Sequence, residues 1–191
     1  MKFSPLLLLA LTTTTTVVGT ATEVQASSVT RRSEAAMTEI YRRSGMDRAH
    51  WDLLVAVTKK GITVKVDTPS CKETGFDAYY WSSKKEMVFC SSLTGASKTV
   101  YQSVIRHEVG HMVQDLKAGG VGNGRLTPHY NTKSGDFWSF YKSSNRIDHS
   151  YVETYNKGGS REDLRTYHLE ADAEVQQTES AQTLKARLFS F

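Results

Sequence analysis

Cysteine, long apolar runs and an excess of charge of one sign are all scarce in this sequence. The 191-residue chain has two cysteines. Its most apolar run, "PLLLLAL" near the N-terminus, is too short for a membrane-spanning helix, which needs about 20 apolar residues. The net charge is a modest +4, and lysines and arginines are interleaved with acidic residues. These features argue against stable membrane insertion and against a nucleic-acid partner. There is also no internal repeat, which favours a single domain.

The N-terminus has the pattern of a secretory leader. Lys2 precedes the apolar run, a threonine-rich stretch follows, and the small residues Val24 and Ala26 are typical of a signal-peptidase site. We therefore predict a signal peptide over residues 1–26 and one domain over residues 27–191. The protein is then expected to be secreted or periplasmic, soluble and monomeric.

The two cysteines, Cys71 and Cys90, both follow the predicted leader. In an oxidising compartment an isolated pair most simply forms one disulfide, which would stabilise the fold by roughly 3 kcal/mol. Zinc ligation by the two thiols is the alternative, but the spacing lacks a close Cys-x-x-Cys pair. The sequence favours a structural disulfide.

Hydrophobic periodicity predicts an α+β fold. Helices are expected over residues 33–43 with Ser33 as the N-cap, over "DRAHWDLLVAVTKK", over 98–117 and over 161–188. Strands are expected at "ITVKV", "DAYYW" and "EMVFC", the last two forming an antiparallel hairpin. Residues 119–160 hold few regular patterns, although the aromatic run "DFWSFY" is suited to core packing or to lining a cleft.

The segment "VIRHEVGHMV" carries the chemistry of the sequence. His107 and His111 lie one helical turn apart and can each give a nitrogen to one zinc ion. Glu108, directly after His107, is rotated away from the side of the helix that holds the two ligands. It can still reach a zinc-bound water and take its proton. An ordinary amphipathic helix with hydrogen-bonded histidines is the alternative. The flanking apolar residues favour a buried metal site, and Gly110 is expected where another backbone or a substrate passes closely.

These residues resemble the active-site helix of the zincin zinc metallopeptidases, and "DAYYWSSKKEMVFC" resembles the edge strand that precedes it there. The resemblance implies a small zincin-like α+β domain, in which the hairpin packs on the active-site helix and a C-terminal helix completes the site. It also implies that the edge strand pairs with an extended peptide substrate. No His-x-x-Gly-x-x-His continuation follows His111, so the chain resembles the gluzincin branch, whose third ligand is a glutamate on a later helix.

That later helix, "REDLRTYHLEADAEVQ", offers two candidates for the third ligand. Glu170 has the residue type that the resemblance implies, whereas helical phase counted from Leu164, Ala171 and Val175 favours His168. We predict Glu170 and keep His168 as the alternative. Asp172 is the candidate for a carboxylate that orients a ligating imidazole, with a solvated helix charge as the other interpretation.

Taken together, the sequence predicts a zinc metallopeptidase that acts on a peptide or protein substrate. A tyrosine or histidine is expected to stabilise the oxyanion, and nothing in the sequence ranks the candidates, which are His129, Tyr130, His149, Tyr151 and Tyr167. Two other functions remain open. One is a peptidoglycan amide hydrolase with the same site, and the other is a disulfide-stabilised periplasmic binding module with a structural metal.

Overall fold

The computed structural model describes residues 21–157 and 160–191, which form an α+β fold. The helices are α1 (Ala21–Ser44), α2 (Arg48–Lys59), α3 (Ser70–Thr74), α4 (Lys98–Lys117), α5 (Gly135–Ser143), α6 (His149–Asn156), α7 (Arg161–Gln177) and α8 (Ala181–Leu188). The strands are β1 (Thr63–Val66), β2 (Ala78–Trp81) and β3 (Glu86–Phe89). The predicted α+β class is confirmed at this level.

The predicted leader falls largely outside this description. Residues 1–20 lie outside the described residues, and the backbone of α1 runs through the predicted cleavage position after residue 26. The division of the chain at that position stays a prediction. None of the described helices is long and apolar enough to cross a bilayer.

The sheet has the strand order β1-β3-β2, with β1 parallel and β2 antiparallel to the central strand β3. The predicted hairpin is confirmed, with Ala78 opposite Phe89 and Trp81 opposite Glu86. Its turn ends at Lys85, which adopts a left-handed conformation with φ of 55°. This topology places β2 at the edge of the sheet.

Most of the core lies between the sheet and helices α1, α2, α4 and α8. α4 contributes Ile105, Val109 and Met112 to it, and all three are fully buried. One side of α4 is therefore fixed in the core, which leaves its other side to face α7.

The start of the first helix was predicted wrongly. Ser33 lies in the middle of α1, is fully buried and does not act as an N-cap. Its hydroxyl donates to the carbonyl oxygen of Val29, one turn back, and accepts a hydrogen bond from the backbone N–H of Val64 in β1. A serine inside a helix can satisfy its hydroxyl in this way, so its presence did not require a helix start.

The final helix is also divided where one helix was predicted. α7 ends at Gln177, and α8 begins after Ser180, whose side chain accepts a hydrogen bond from the backbone N–H of Thr183. This N-cap starts a new helix direction. Leu184 and Leu188 of α8 are fully buried in the main core as a result.

Two short helices, α5 and α6, occupy the region in which few patterns were expected. Ser134 caps α5 and Asp148 caps α6, each by accepting backbone N–H bonds through its side chain. Phe137, Tyr141 and Val152 pack with α7 in a second hydrophobic cluster. Much of the aromatic run therefore forms core.

The predicted disulfide between Cys71 and Cys90 is present, with a sequence separation of 19. It joins the five-residue helix α3 to the residue that follows β3. A covalent link is compatible with a secreted or periplasmic protein. It also fixes the segment from which Gly75 and Phe76 enter the cleft described below.

Replacing both cysteines by serine is expected to lower the free energy of unfolding by roughly 3 kcal/mol, because the unfolded chain regains the entropy of the closed loop. Urea denaturation of the double variant, compared with oxidised and reduced wild-type protein, measures this loss. Reduced wild type should match the variant. A difference from oxidised wild type below about 0.5 kcal/mol would contradict a structural role for the bond.

Candidate metal centre

The two motif histidines project from α4 towards α7. Ser97 caps this helix by accepting a hydrogen bond from the backbone N–H of Val100, and the apolar side of the helix is held in the main core. His107 and His111 are buried, and their Nε2 atoms lie 3.1 Å apart. The spacing of one helical turn thus directs two ring nitrogens to one point.

Glu170 of α7 brings a carboxylate oxygen to the same point. Its Oε2 atom lies 3.3 Å from Nε2 of His107 and 3.5 Å from Nε2 of His111. The three residues form the group that could hold a metal ion. Ligands at 2.0–2.1 Å from a tetrahedral zinc ion are about 3.3 Å from one another, so the triangle of these atoms has the size that zinc requires.

The Nδ1 atoms of the two histidine rings have partners outside the triangle. Nδ1 of His111 lies 3.0 Å from Oε1 of Gln114, an atom that only accepts, so Nδ1 carries the proton. Nδ1 of His107 lies 3.3 Å from the carboxylate of Glu174. The two Nε2 atoms then face a carboxylate oxygen of Glu170. Two imidazole nitrogens and a carboxylate oxygen are a donor set that fits a cation.

Close packing of α4 on α7 explains why Glu170 reaches the histidines. A Cβ atom at Gly110 would lie 3.2 Å from Cα of Ala173, so the glycine permits the approach of the two backbones. The expectation of a close backbone approach at Gly110 is confirmed. Glu170 and Glu174 lie three residues before and one after Ala173, at helical spacings that put Glu170 over the histidine pair.

The alternative ligand His168 lies elsewhere on α7. Its ring contacts those of Trp138 and Tyr167, with centroid distances of 5.6 and 5.8 Å, and it is not part of the group that could hold a metal. The phase argument for His168 took Leu164 to be on the buried face, but Leu164 is 44% exposed. Of the two candidates, the geometry therefore favours Glu170.

Asp172 supports the site through an intermediate residue. Its Oδ2 accepts hydrogen bonds from the side-chain amides of Gln114 at 2.9 Å and Gln176 at 2.8 Å. It also accepts from the backbone N–H groups of His129 and Tyr130. Asp172 is fully buried and is therefore no solvated helix charge. It contacts neither metal-site imidazole, so its predicted direct orienting role is replaced by a link through Gln114.

Sequence reasoning missed Gln114 and Glu174 as partners of the two histidines. Gln114 lies three residues after His111, where one helical turn places it beside that ring. This spacing was a signal that could have been used. Glu174 lies on another helix and pairs with His107 only through the packing of α7 on α4, so no local pattern reveals it.

Glu108 is buried beside the histidines. Its carboxyl accepts a hydrogen bond from the backbone N–H of Tyr80, while its Oε2 atom has no partner. Burial raises the pKa of this carboxyl, although the neighbouring histidines oppose the rise. Glu108 is therefore a carboxyl with a free oxygen and an increased proton affinity, which is the character of a general base.

The titrating groups of the triangle are strongly coupled. Burial disfavours the charged forms of His107 and His111 and by itself would lower the pKa of each imidazole. The carboxylate of Glu170 outweighs this effect, and Glu174 adds to it at His107, so both pKa values are raised. Burial likewise disfavours the charge on Glu170, but the two imidazoles hold its pKa well below the usual value. The carboxylate is thus ionised at neutral pH, as a metal ligand must be.

A cleft of about 510 Å³ opens beside His107 and Glu108. Ala78 from β2 and Tyr151 from α6 also line it. The N–H of Cys90 donates to the carbonyl oxygen of Asp77, so Asp77 is hydrogen-bonded to the neighbouring strand. In an antiparallel pair hydrogen-bonded and non-hydrogen-bonded residues alternate. The backbone N–H and C=O groups of Ala78 and Tyr80 therefore point away from β3. The N–H of Tyr80 donates to Glu108, and Ala78 lines the cleft, so the edge of β2 faces the site at these residues.

Tyr151 is the one oxyanion candidate of the five that lines this cleft. Its ring lies 6.4 Å from that of His107. The ring of His129 lies against those of Tyr130 and Phe191, and the hydroxyl of Tyr130 donates to Glu179. The imidazole of His149 bonds to the carbonyl oxygen of Tyr141, and Tyr167 stacks on Trp138. The structure thereby ranks candidates that the sequence left equal.

No protein-family model, no curated protein and no solved structure matches the chain. The resemblance to zincins therefore stays a prediction from the short motif. What the arrangement offers chemically is a buried group of two imidazoles and one carboxylate that could hold a cation, a neighbouring carboxyl with a free oxygen, and a strand edge.

Proposed function

We propose that the protein is a secreted or periplasmic zinc-dependent peptidase with a zincin-like site. The triangle formed by His107, His111 and Glu170 carries this proposal, because its edges of 3.1, 3.3 and 3.5 Å match tetrahedral zinc ligation. Among the described residues this group offers three ligands. Three protein ligands with an open fourth position are typical of catalytic zinc, whereas structural zinc usually has four.

Zinc, when bound, would supply Lewis acidity that polarises a carbonyl and makes water a nucleophile near neutral pH. Glu108 then takes the proton of the attacking water on its free carboxylate oxygen, while the backbone N–H of Tyr80 holds the other part of the carboxyl in place. The raised pKa of Glu108 helps it to keep this proton and to deliver it to the leaving nitrogen as the amide bond breaks. Water is thus added across the C–N bond without a further reactant.

An extended peptide fits the open edge of β2. The outward N–H and C=O groups of Ala78 lie in the wall of the cleft, next to His107 and Glu108. Backbone hydrogen bonds to such an edge add the peptide to the sheet as a fourth strand. This mode binds main chain and would position a peptide bond beside the site.

Tyr151 is expected to donate a hydrogen bond to the oxyanion. Burial, with the nearby Glu170 carboxylate, raises the pKa of this phenol, so it carries its proton at neutral pH. Tyr151→Phe should lower kcat by about 10²-fold, since loss of one oxyanion donor typically has an effect of this size or larger. KM and zinc content should change little.

The matched control is Tyr155→Phe, because the hydroxyls of Tyr151 and Tyr155 lie 3.3 Å apart and only Tyr151 lines the cleft. Steady-state kinetics of both variants separate a direct role from a disturbed α6. Equal losses of kcat in the two variants would contradict the assignment.

The proposal as a whole is tested by metal analysis together with hydrolysis of a broad peptide library. We expect one zinc ion per chain and cleavage that is lost on treatment with a chelator and restored by zinc. Correctly oxidised protein that binds no transition metal would overturn the proposal. Stoichiometric zinc without cleavage of any peptide would favour a binding module instead.

A further inference from the structure

One arginine lines the cleft beside the candidate metal site. Arg146, in the loop between α5 and α6, is exposed and lines the cleft together with His107 and Glu108. Arg106 lies one residue before His107 in α4 and is half-buried. One guanidinium thus lines the cleft, and a second belongs to the residue next to His107 in the sequence.

Arg106 is held firmly in its place by neutral partners. Its Nε donates to the carbonyl oxygen of Gln177 at 2.6 Å, and its Nη1 donates to Nε2 of His50 at 2.7 Å. Burial lowers the pKa of His50, and it outweighs the hydrogen bond between the ring and Asp47, which raises that pKa. The charge of Arg106 is therefore not cancelled by a direct carboxylate partner.

Arg146 likewise has no carboxylate at ion-pair distance within residues 21–157 and 160–191. Four acids line the same cleft, and three of them have other partners. Asp148 accepts from the N–H and hydroxyl of Ser150 as the cap of α6, and Glu174 faces His107. Glu108 accepts a hydrogen bond from the backbone N–H of Tyr80, and Asp77, the fourth acid, lies directly before β2.

We propose that Arg146 forms a carboxylate subsite of the cleft, in which it binds an acidic group of the substrate, and that Arg106, next to His107 in the sequence, adds positive charge. A guanidinium presents paired N–H donors that match the two oxygens of a carboxylate. A cleft with low-dielectric walls strengthens this attraction relative to open solvent. The inference rests on the proposed function in one respect, that the ligand is a peptide.

The carboxylate has two sources, the C-terminus of a peptide or the side chain of Asp or Glu. Both place the same planar anion against Arg146. A subsite for the chain end would make the protein act near peptide C-termini, whereas a subsite for the side chain would select an acidic residue within a longer substrate. Peptides with free or amidated C-termini, and with Glu or Gln side chains, separate these two sources of the carboxylate.

The probes are dye-labelled hexapeptides that carry one Glu, Gln or Lys at each position in turn, each with a free and with an amidated C-terminus. Binding is measured by fluorescence anisotropy in the presence of zinc on the Glu108→Gln protein, which keeps the peptides intact. Arg146→Glu in the same background is the test variant. Arg125→Glu is the matched control, because Arg125 is exposed, outside the cleft lining, and changes the net charge equally.

We expect the carboxylate-bearing member of at least one peptide pair to bind about fivefold more tightly than its neutral counterpart, as for a well-placed ion pair. Arg146→Glu should abolish this preference and favour the lysine peptide, while Arg125→Glu should leave it unchanged. Dependence on amidation would assign the subsite to the chain end, and dependence on Glu against Gln would assign it to a side chain.

Equal binding of all peptides, no peptide binding at all, or equal effects of the two charge reversals would overturn the subsite. The proposed function is tested separately by cleavage of neutral peptides by wild-type protein. A carboxylate preference without cleavage would leave the subsite and overturn the peptidase. Cleavage without such a preference would support the peptidase and overturn the subsite.

Discussion

Replacing Glu108 by glutamine should reduce peptide hydrolysis by about 10²–10⁴-fold, the usual contribution of a positioned general acid–base. Glutamine keeps the shape of the side chain, and its carbonyl can still accept the N–H of Tyr80. It cannot take a proton from water. Because Glu108 is outside the group of residues that could hold the metal, bound zinc should stay at wild-type stoichiometry.

Metal content and kcat/KM, measured on the same preparation, check this result. Glu34→Gln, an exposed substitution on α1, is the control for the loss of one negative charge. Lost hydrolysis together with lost zinc would mean that Glu108 acts through the metal site and is no base. Retained hydrolysis would remove Glu108 from the mechanism.

The parts of the fold that the sequence predicted are those with local signals. α4 follows its predicted bounds because apolar periodicity, the Ser97 cap and the glycines after Lys117 coincide. The hairpin was predicted for the same reason, since two alternating apolar segments flank a polar turn. α5 and α6 were missed because their few residues leave little periodicity, although Ser134 and Asp148 were available as capping signals.

In the candidate site, too, the residues placed by local structure were predictable and those placed by tertiary packing were not. The relation of His107, Glu108 and His111 is set by one helical turn and could be predicted from the sequence alone. The approach of Glu170, by contrast, depends on how α7 packs on α4 at Gly110. The glycine signalled that some backbone would pass closely, but it did not say which one.

The support around Glu108 could not be predicted from local pattern at all. Tyr80 gives its backbone N–H to Glu108 and its hydroxyl to Asp115 at 2.6 Å, where the N–H of Gly122 also donates. Tertiary contacts from β2, the end of α4 and the glycine-rich loop meet at this one residue. Each of these segments has its own pattern, and none of the patterns specifies their relative placement.

Replacing Glu170 by glutamine is expected to weaken zinc binding by more than about 100-fold, since even the loss of a residue that only supports a metal ligand can have an effect of 10–100-fold. The neutral amide removes the charge that the two imidazoles stabilise at this position. Hydrolysis at limiting zinc should fall in parallel. Titration with a zinc indicator and the zinc-dependent rise in melting temperature measure the effect, because a ligand that binds only the folded state stabilises it in proportion to its affinity.

His168→Gln is the decisive comparison, because His168 is on the same helix and was the other candidate ligand. Its ring packs against Trp138 and Tyr167, so its replacement should leave zinc affinity within a factor of about two, as expected of a residue without contact to the ligands. Glu162→Gln, exposed in the first turn of α7, controls for the loss of charge. If His168→Gln lost zinc while Glu170→Gln kept it, α7 would have to turn about its axis on binding the metal, and the packing of Ala173 on Gly110 would have to change with it.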